Sequence, residues 1–119
     1  MAGVLTESIL TSIKKLLGIH EDDTSFDNDV ATHINCVFMI LNQLGVGPET
    51  AFSISDKDSV WNDFMPDANK IESVKTYIYL RVKLMFDPPS SSAAMESANR
   101  IISELEWRIL TEAEVRRSK

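Results

Sequence analysis

The chain has 119 residues, 44% of them apolar and 25% charged, and a formal net charge of −6. That is enough for one compact domain with one core, and the balance argues against a disordered tail. The acidic excess makes free nucleic acid a poor ligand, because phosphate binding needs a basic surface, and no apolar run approaches the roughly 18 residues of a membrane span.

The opening MAGVLTESIL carries no basic leader, long apolar run or cleavage site, so no secretory signal is expected. A lone cysteine, Cys36, cannot close a disulfide within the chain and fits a reducing cytoplasm. The expected organisation is a single helical domain over residues 1–119, with a basic C-terminal tail at 110–119.

Apolar spacing of 3.6 residues predicts four to five helices. The first runs from about Leu5 to Leu17, with Leu5, Ile9, Ile13, Leu16 and Leu17 on one side and Lys14 and Lys15 near its dipole-negative end. Gly18 is its expected stop. After an acidic loop, Ser25 or Asp27 is expected to cap a second helix whose stripe is Val30, Ile34, Val37, Phe38, Leu41 and Leu44. Gly45 should end it and Gly47-Pro48 should prevent its restart.

Residues 46–57 read as irregular. Asp58 to Met65 suggests one short helix carrying Trp61 and Phe64, closed by Pro66. Asp67 to Phe86 is the strongest helix, with Ile71, Val74, Ile78, Val82 and Met85 clustered and Tyr77, Leu80 and Leu84 widening the arc. So wide an arc suggests the central helix of an all-α bundle. Pro88-Pro89 breaks it. A last helix begins near Ser91 or Ser92 and extends towards Val115, with Ala94, Met95, Ala98, Ile101, Ile102, Leu105 and Ile109 on one side. Trp107 lies nearly opposite them, among Arg100, Ser103 and Glu104.

Few residues suggest chemistry. The acidic stretch Glu21 to Asp29 lacks the glycine and terminal glutamate of a calcium loop, so a solvated loop is the simpler reading. His33 and Cys36, three apart on a helix, could share a face, but a structural zinc site needs four ligands and no second cluster exists. Gly45-Val46-Gly47-Pro48 lacks the lysine and hydroxyl of a phosphate loop. No catalytic, cofactor or metal site is assigned, and an enzyme is not expected.

Two residues invite partners. Arg81 falls inside the apolar arc of the central helix, where a guanidinium needs a carboxylate: an internal pair is the simpler reading, a pair with a neighbouring subunit the sharper one. Trp107 on a polar face has two readings: a protein-interface anchor, with Met39 on the polar side of its own helix in support, or a ring stacked on Arg100 or Arg108 or covered by a loop. Trp61, Phe64 and Trp107 could together supply unpaired apolar patches.

The phrases Asp23-Thr24-Ser25-Phe26-Asp27, His33-Ile34-Asn35, Gln43-Leu44-Gly45-Val46-Gly47 and the long run Glu72 to Ser90, ending Asp87-Pro88-Pro89-Ser90, resemble the head–tail connector (head-completion or adaptor) proteins of tailed bacteriophages. The likeness spans roughly residues 5 to 110. It implies a structural virion protein, not an enzyme, that assembles in the host cytoplasm. It implies a ring, commonly of twelve copies, beneath the portal protein, extending a channel through which genomic DNA passes without specific binding and offering a platform to the tail-completion or stopper protein. It implies a portal-facing C-terminal segment, here Trp107, Leu110, Val115, Arg116 and Arg117. It also implies a lateral or distal contact by the loop carrying Phe52 and Ile54. The competing readings are a small helical regulatory or adaptor module acting through protein–protein binding, and an enzyme subunit with a metal at His33, Cys36 and an acidic residue.

Overall fold

Glycine sets where the early helices stop. The computed structural model describes residues 3–117, with side chains described as far as Thr111. Helix α1 (Ile9–Leu16) and helix α2 (Asp27–Gln43) both end the same way. The residue two past each helix, Gly18 or Gly45, takes φ +83°. That left-handed turn lets Ile19 N–H reach the Lys14 carbonyl at 2.9 Å and Val46 N–H reach the Leu41 carbonyl at 2.9 Å. Gly18 and Gly45 themselves donate to Lys15 and Asn42, which completes the Schellman arrangement at each end.

Three more α-helices follow among the described residues: α3 (Trp61–Phe64), α4 (Ala68–Phe86) and α5 (Ser92–Arg117), and a 3-10 turn, Val4–Thr6, precedes α1. The all-helical bundle read from periodicity is therefore the fold. The first helix is shorter than its apolar stripe suggested, because Val4–Thr6 is 3-10 and Ser8, extended, caps α1 by accepting from Thr11 N–H at 3.2 Å. The short third helix starts three residues late for a similar reason. Ser8 and Val60 form an isolated antiparallel bridge, with Ile9 N–H on the Ser59 carbonyl and Trp61 N–H on the Glu7 carbonyl. That pairing holds residues 59 and 60 extended, and helix begins only at Trp61, where Asp63 reaches back to Val60 N–H at 3.0 Å.

Neither Ser25 nor Asp27 caps α2. The N-cap is Phe26, with no side-chain bond, and Asp27 is already helical. Its carboxylate is drawn away to Lys14, with Oδ1 2.7 Å from Nζ. Lys14 is 2% exposed and also donates to the Glu21 carbonyl at 3.1 Å. Its role is to tie α1 to the loop and to α2, well beyond the dipole complement its position suggested. A lysine this buried requires such partners.

The core is built on α2 and α4. Phe26 at the start of α2 meets Phe86 at the end of α4, ring centroids 5.4 Å apart, and Phe38 near the other end meets Phe64, 4.7 Å away, just ahead of α4. The two helices therefore run antiparallel. Val30, Ile34, Val37, Phe38 and Leu41 face Ile71, Val74, Ile78 and Val82, all buried. Each such side chain contributes about 1.5–3 kcal/mol by leaving water. Trp61 and Phe64, expected as possible surface patches, are core. Trp61 is fully buried with Nε1 donating to Ser12 Oγ at 3.2 Å, and Phe64 stacks among Phe38 and Phe52. Gly47, at φ +89°, lies so close that a Cβ there would run into the Phe64 ring.

Candidate interaction surfaces

Pro88 and Pro89 sit in the link between α4 and α5, and α5 folds back along α4. The seam between them has a polar centre. Tyr77 Oη donates to Glu106 Oε2 at 2.7 Å, Arg81 Nη2 donates to the same oxygen at 2.8 Å, and Arg81 Nε donates to Tyr77 Oη at 2.7 Å. The guanidinium also sits 5.3 Å from the centre of the Tyr77 ring. Burial, with Glu106 as acceptor, pushes the Tyr77 hydroxyl up to about 12. The bonds from Tyr77 and Arg81 hold the Glu106 carboxyl below its ordinary range. Burial works against the Arg81 charge, but the bonds to Glu106 and Tyr77 more than offset it. Arg81 is thus paired inside the chain, with about a third of its side chain exposed at the seam.

Two amides of α2 hold the loop of residues 46–57: Asn42 donates to the Pro48 and Glu49 carbonyls, each at 3.3 Å, and Asn35 grips Ile54. Asn35 on α2 donates to the Ile54 carbonyl at 2.9 Å and accepts from Ile54 N–H at 2.7 Å. This two-point clamp pulls Ile54 inside, where it is 4% exposed, and Phe52 is half-buried against Phe38 and Phe64. The structure places Ile54 in the core, so that loop presents its neighbours Ser53, Ser55 and Asp56 to solvent and not the isoleucine. Asn35 is a residue that sequence reasoning missed. Its signal was a lone amide beside an apolar stripe, at a position that needed an explanation.

Trp107 stands out on the surface, 65% exposed on the side of α5 turned away from α4. Nearby, Arg108 closes an i to i+4 pair on Glu104 at 2.9 Å. Met39 is 54% exposed on α2, and Cys36 is exposed one turn before it. Leu110 is half-buried. The α5 helix continues through Val115, Arg116 and Arg117, whose side chains lie outside the described residues, as do Ser118 and Lys119.

Among the described residues, no three His, Cys, Asp or Glu side chains converge as a ligand set. His33 lies instead beside Phe86, ring centroids 6.5 Å apart. An open cavity of about 450 Å³ between α1, the start of α2 and residues 55–57 is lined by Lys14, Thr11, Asn28 and Lys57 among others, but its buried lysine is already engaged by Asp27 and the Glu21 carbonyl. No described helix is long and apolar enough to cross a membrane.

The described residues form an all-helical fold, with Trp107 the largest apolar side chain held out to solvent. The sequence model of the phage connector proteins matches residues 9–116, and the chain belongs to that family. No curated protein and no solved structure matches it.

Proposed function

We propose that the chain is the subunit of a head–tail connector ring, seated beneath the portal protein of a tailed phage and offering a platform to the tail-completion or stopper protein. The match to the connector family across nearly the whole chain carries this reading. A ring needs heterologous contacts, in which one face of each subunit meets a different face of the next and the rotation closes. An uncovered face of α5 bearing Trp107 suits that requirement. The acidic balance suits a passage for DNA, because a channel that attracts phosphate would grip what must slide.

The C-terminal part of α5, from Leu110 through Val115, Arg116 and Arg117, is the segment proposed for the portal. The loop around Phe52 is proposed for a lateral or distal neighbour. Light scattering of the chain alone and mixed with its phage's portal protein tests the reading. A ring-sized species, or a portal complex of fixed stoichiometry, is expected. A monomer that ignores the portal at micromolar concentration would overturn it.

A further inference from the structure

The outer sides of α2 and α5 carry matched features. On α2, the side turned from the core presents Asp29, Thr32, Cys36, Met39 and Gln43, all exposed. On α5, the side turned from α4 presents Arg100, Ser103 and Trp107, also exposed. Each face has one large apolar side chain, Met39 and Trp107, more than half in solvent. Each also has a charge that meets no opposite charge among the described residues, Asp29 on α2 and Arg100 on α5.

The spacing agrees as well. Asp29 precedes Met39 by about 15 Å of helix and Arg100 precedes Trp107 by about 10 Å. In both helices the charge comes first and the apolar residue second, and a long arginine side chain spans the remaining difference. Helix α2 runs antiparallel to α4, and α5 also doubles back on α4, with Glu106 reaching Tyr77 and Arg81. They pack along α4 while scarcely touching one another. Making the apolar and the charged pair at once requires a neighbour's α2 to lie parallel to this α5.

We infer that the subunit-to-subunit seam is the outer face of α5 on one copy against the outer face of α2 on the next, with Trp107 on Met39 and Arg100 on Asp29. The inference rests on the ring reading above. It moves Trp107 from the portal side, where the family likeness put it, to the lateral contact. An exposed tryptophan and a thioether are well suited to each other, since sulfur packs favourably against an aromatic ring.

The native thiol is a built-in probe. With Met39 level with Trp107, Cys36 lies about 4.5 Å before that level and Ser103 about 6 Å before it, close enough for a disulfide between facing helices. Ser103→Cys is nearly isosteric at an exposed site. Oxidised under conditions where light scattering shows rings, the full-length variant is expected to give a ladder of dimers, trimers and higher species on a non-reducing gel, and Cys36→Ser added to it should abolish the ladder. Rings without a ladder would overturn this seam and leave the ring reading standing. No ring, with or without portal, would overturn both. Wild-type chains that link pairwise through Cys36 would mean that α2 faces meet two-fold, which also overturns it.

Charge exchange gives a second readout that does not depend on thiol geometry. Arg100→Glu or Asp29→Arg alone should weaken association about fivefold per contact, and the double variant should recover it. Failure of the pair to recover, with each variant folded by circular dichroism, would overturn the assignment. So would Trp107→Ala rings of normal stability that had lost only portal binding.

Discussion

The two long helices of the C-terminal hairpin are built for different work. Helix α4, 19 residues long, buries Ile71, Val74, Tyr77, Ile78 and Val82 and is packed by α2 on one side and α5 on another. Helix α5, 26 residues long, buries only Ile102 and Ile109 among its described residues, and from Ser92 to Ile101 no side chain is fully buried. Isolated helices are marginal in water, and most helical stability in proteins comes from packing an apolar face. A helix with so much uncovered surface gains little from this chain alone. The difference is that α4 is covered within the chain, while much of the described part of α5 is left exposed.

The sharpest way to break that contrast is to damage the packed half and see whether the loss stays there. Trp61 is fully buried and bonded to Ser12. Trp61→Ala is expected to cost about 3–5 kcal/mol, combining lost transfer energy with a cavity, and should unfold much of the population. Urea unfolding followed by circular dichroism measures it. A cost under about 1 kcal/mol would mean that the α1–α3 junction is not part of the cooperative core.

Next in size is the loop clamp. Asn35→Ala leaves Ile54 N–H and its carbonyl without the amide that now satisfies both. A buried polar group left unpaired costs about 1–3 kcal/mol, so a loss in that range is expected, together with faster amide exchange at Ile54. Unchanged exchange would show that the loop holds its place by Phe52 and Ile54 packing and the Asn42 bonds to Pro48 and Glu49.

How much of this was legible follows from what kind of signal each feature leaves. Helix α4 was plain, because five buried residues recur at helical spacing between Asp67 and a double proline. The ends of α1 and α2 were plain because glycine after an apolar stripe has one common cause. Trp107 was legible as the one aromatic facing away from its helix's stripe. The junction of α1 and α3 was not, since a bridge between Ser8 and Val60 joins residues 52 apart and leaves no local pattern. The same holds for Lys14 and Asp27: each reads locally as dipole complement or cap, and only the fold brings them within 2.7 Å. Ile54 was read from its loop, while its burial is decided by Asn35, far along the chain.

The seam between the two halves sharpens the comparison. Arg81→Leu removes two of the three bonds in the Tyr77, Arg81 and Glu106 cluster. A fully buried pair would cost more, but a third of this one is exposed, so about 1–2 kcal/mol is expected. The Glu106 carboxyl is held below its ordinary value of 4.5 in the folded chain. Its contribution is therefore fully present above that ordinary value and is lost as the pH falls through the lowered one. The gap in stability between wild type and Arg81→Leu should be full at pH 7 and narrow as acid protonates Glu106. A gap that persists unchanged at low pH would assign the effect to lost packing of the arginine stem.

The smallest effect on the subunit is expected where the effect on assembly is largest. Trp107 is 65% exposed and belongs to no packed layer among the described residues. Trp107→Ala should shift unfolding by no more than about 0.5 kcal/mol, as surface substitutions away from special features do. An anchor at the centre of an interface, truncated to alanine, costs about 2 kcal/mol or more in binding, roughly thirtyfold in affinity at each contact. The two measurements on one variant therefore separate the halves of the hairpin: unchanged melting with failed rings places Trp107 among residues whose apolar surface is buried only between chains. Melting and assembly that fall together would place it in the fold itself, and the division between a helix that completes the subunit and one that reaches beyond it would have to be withdrawn.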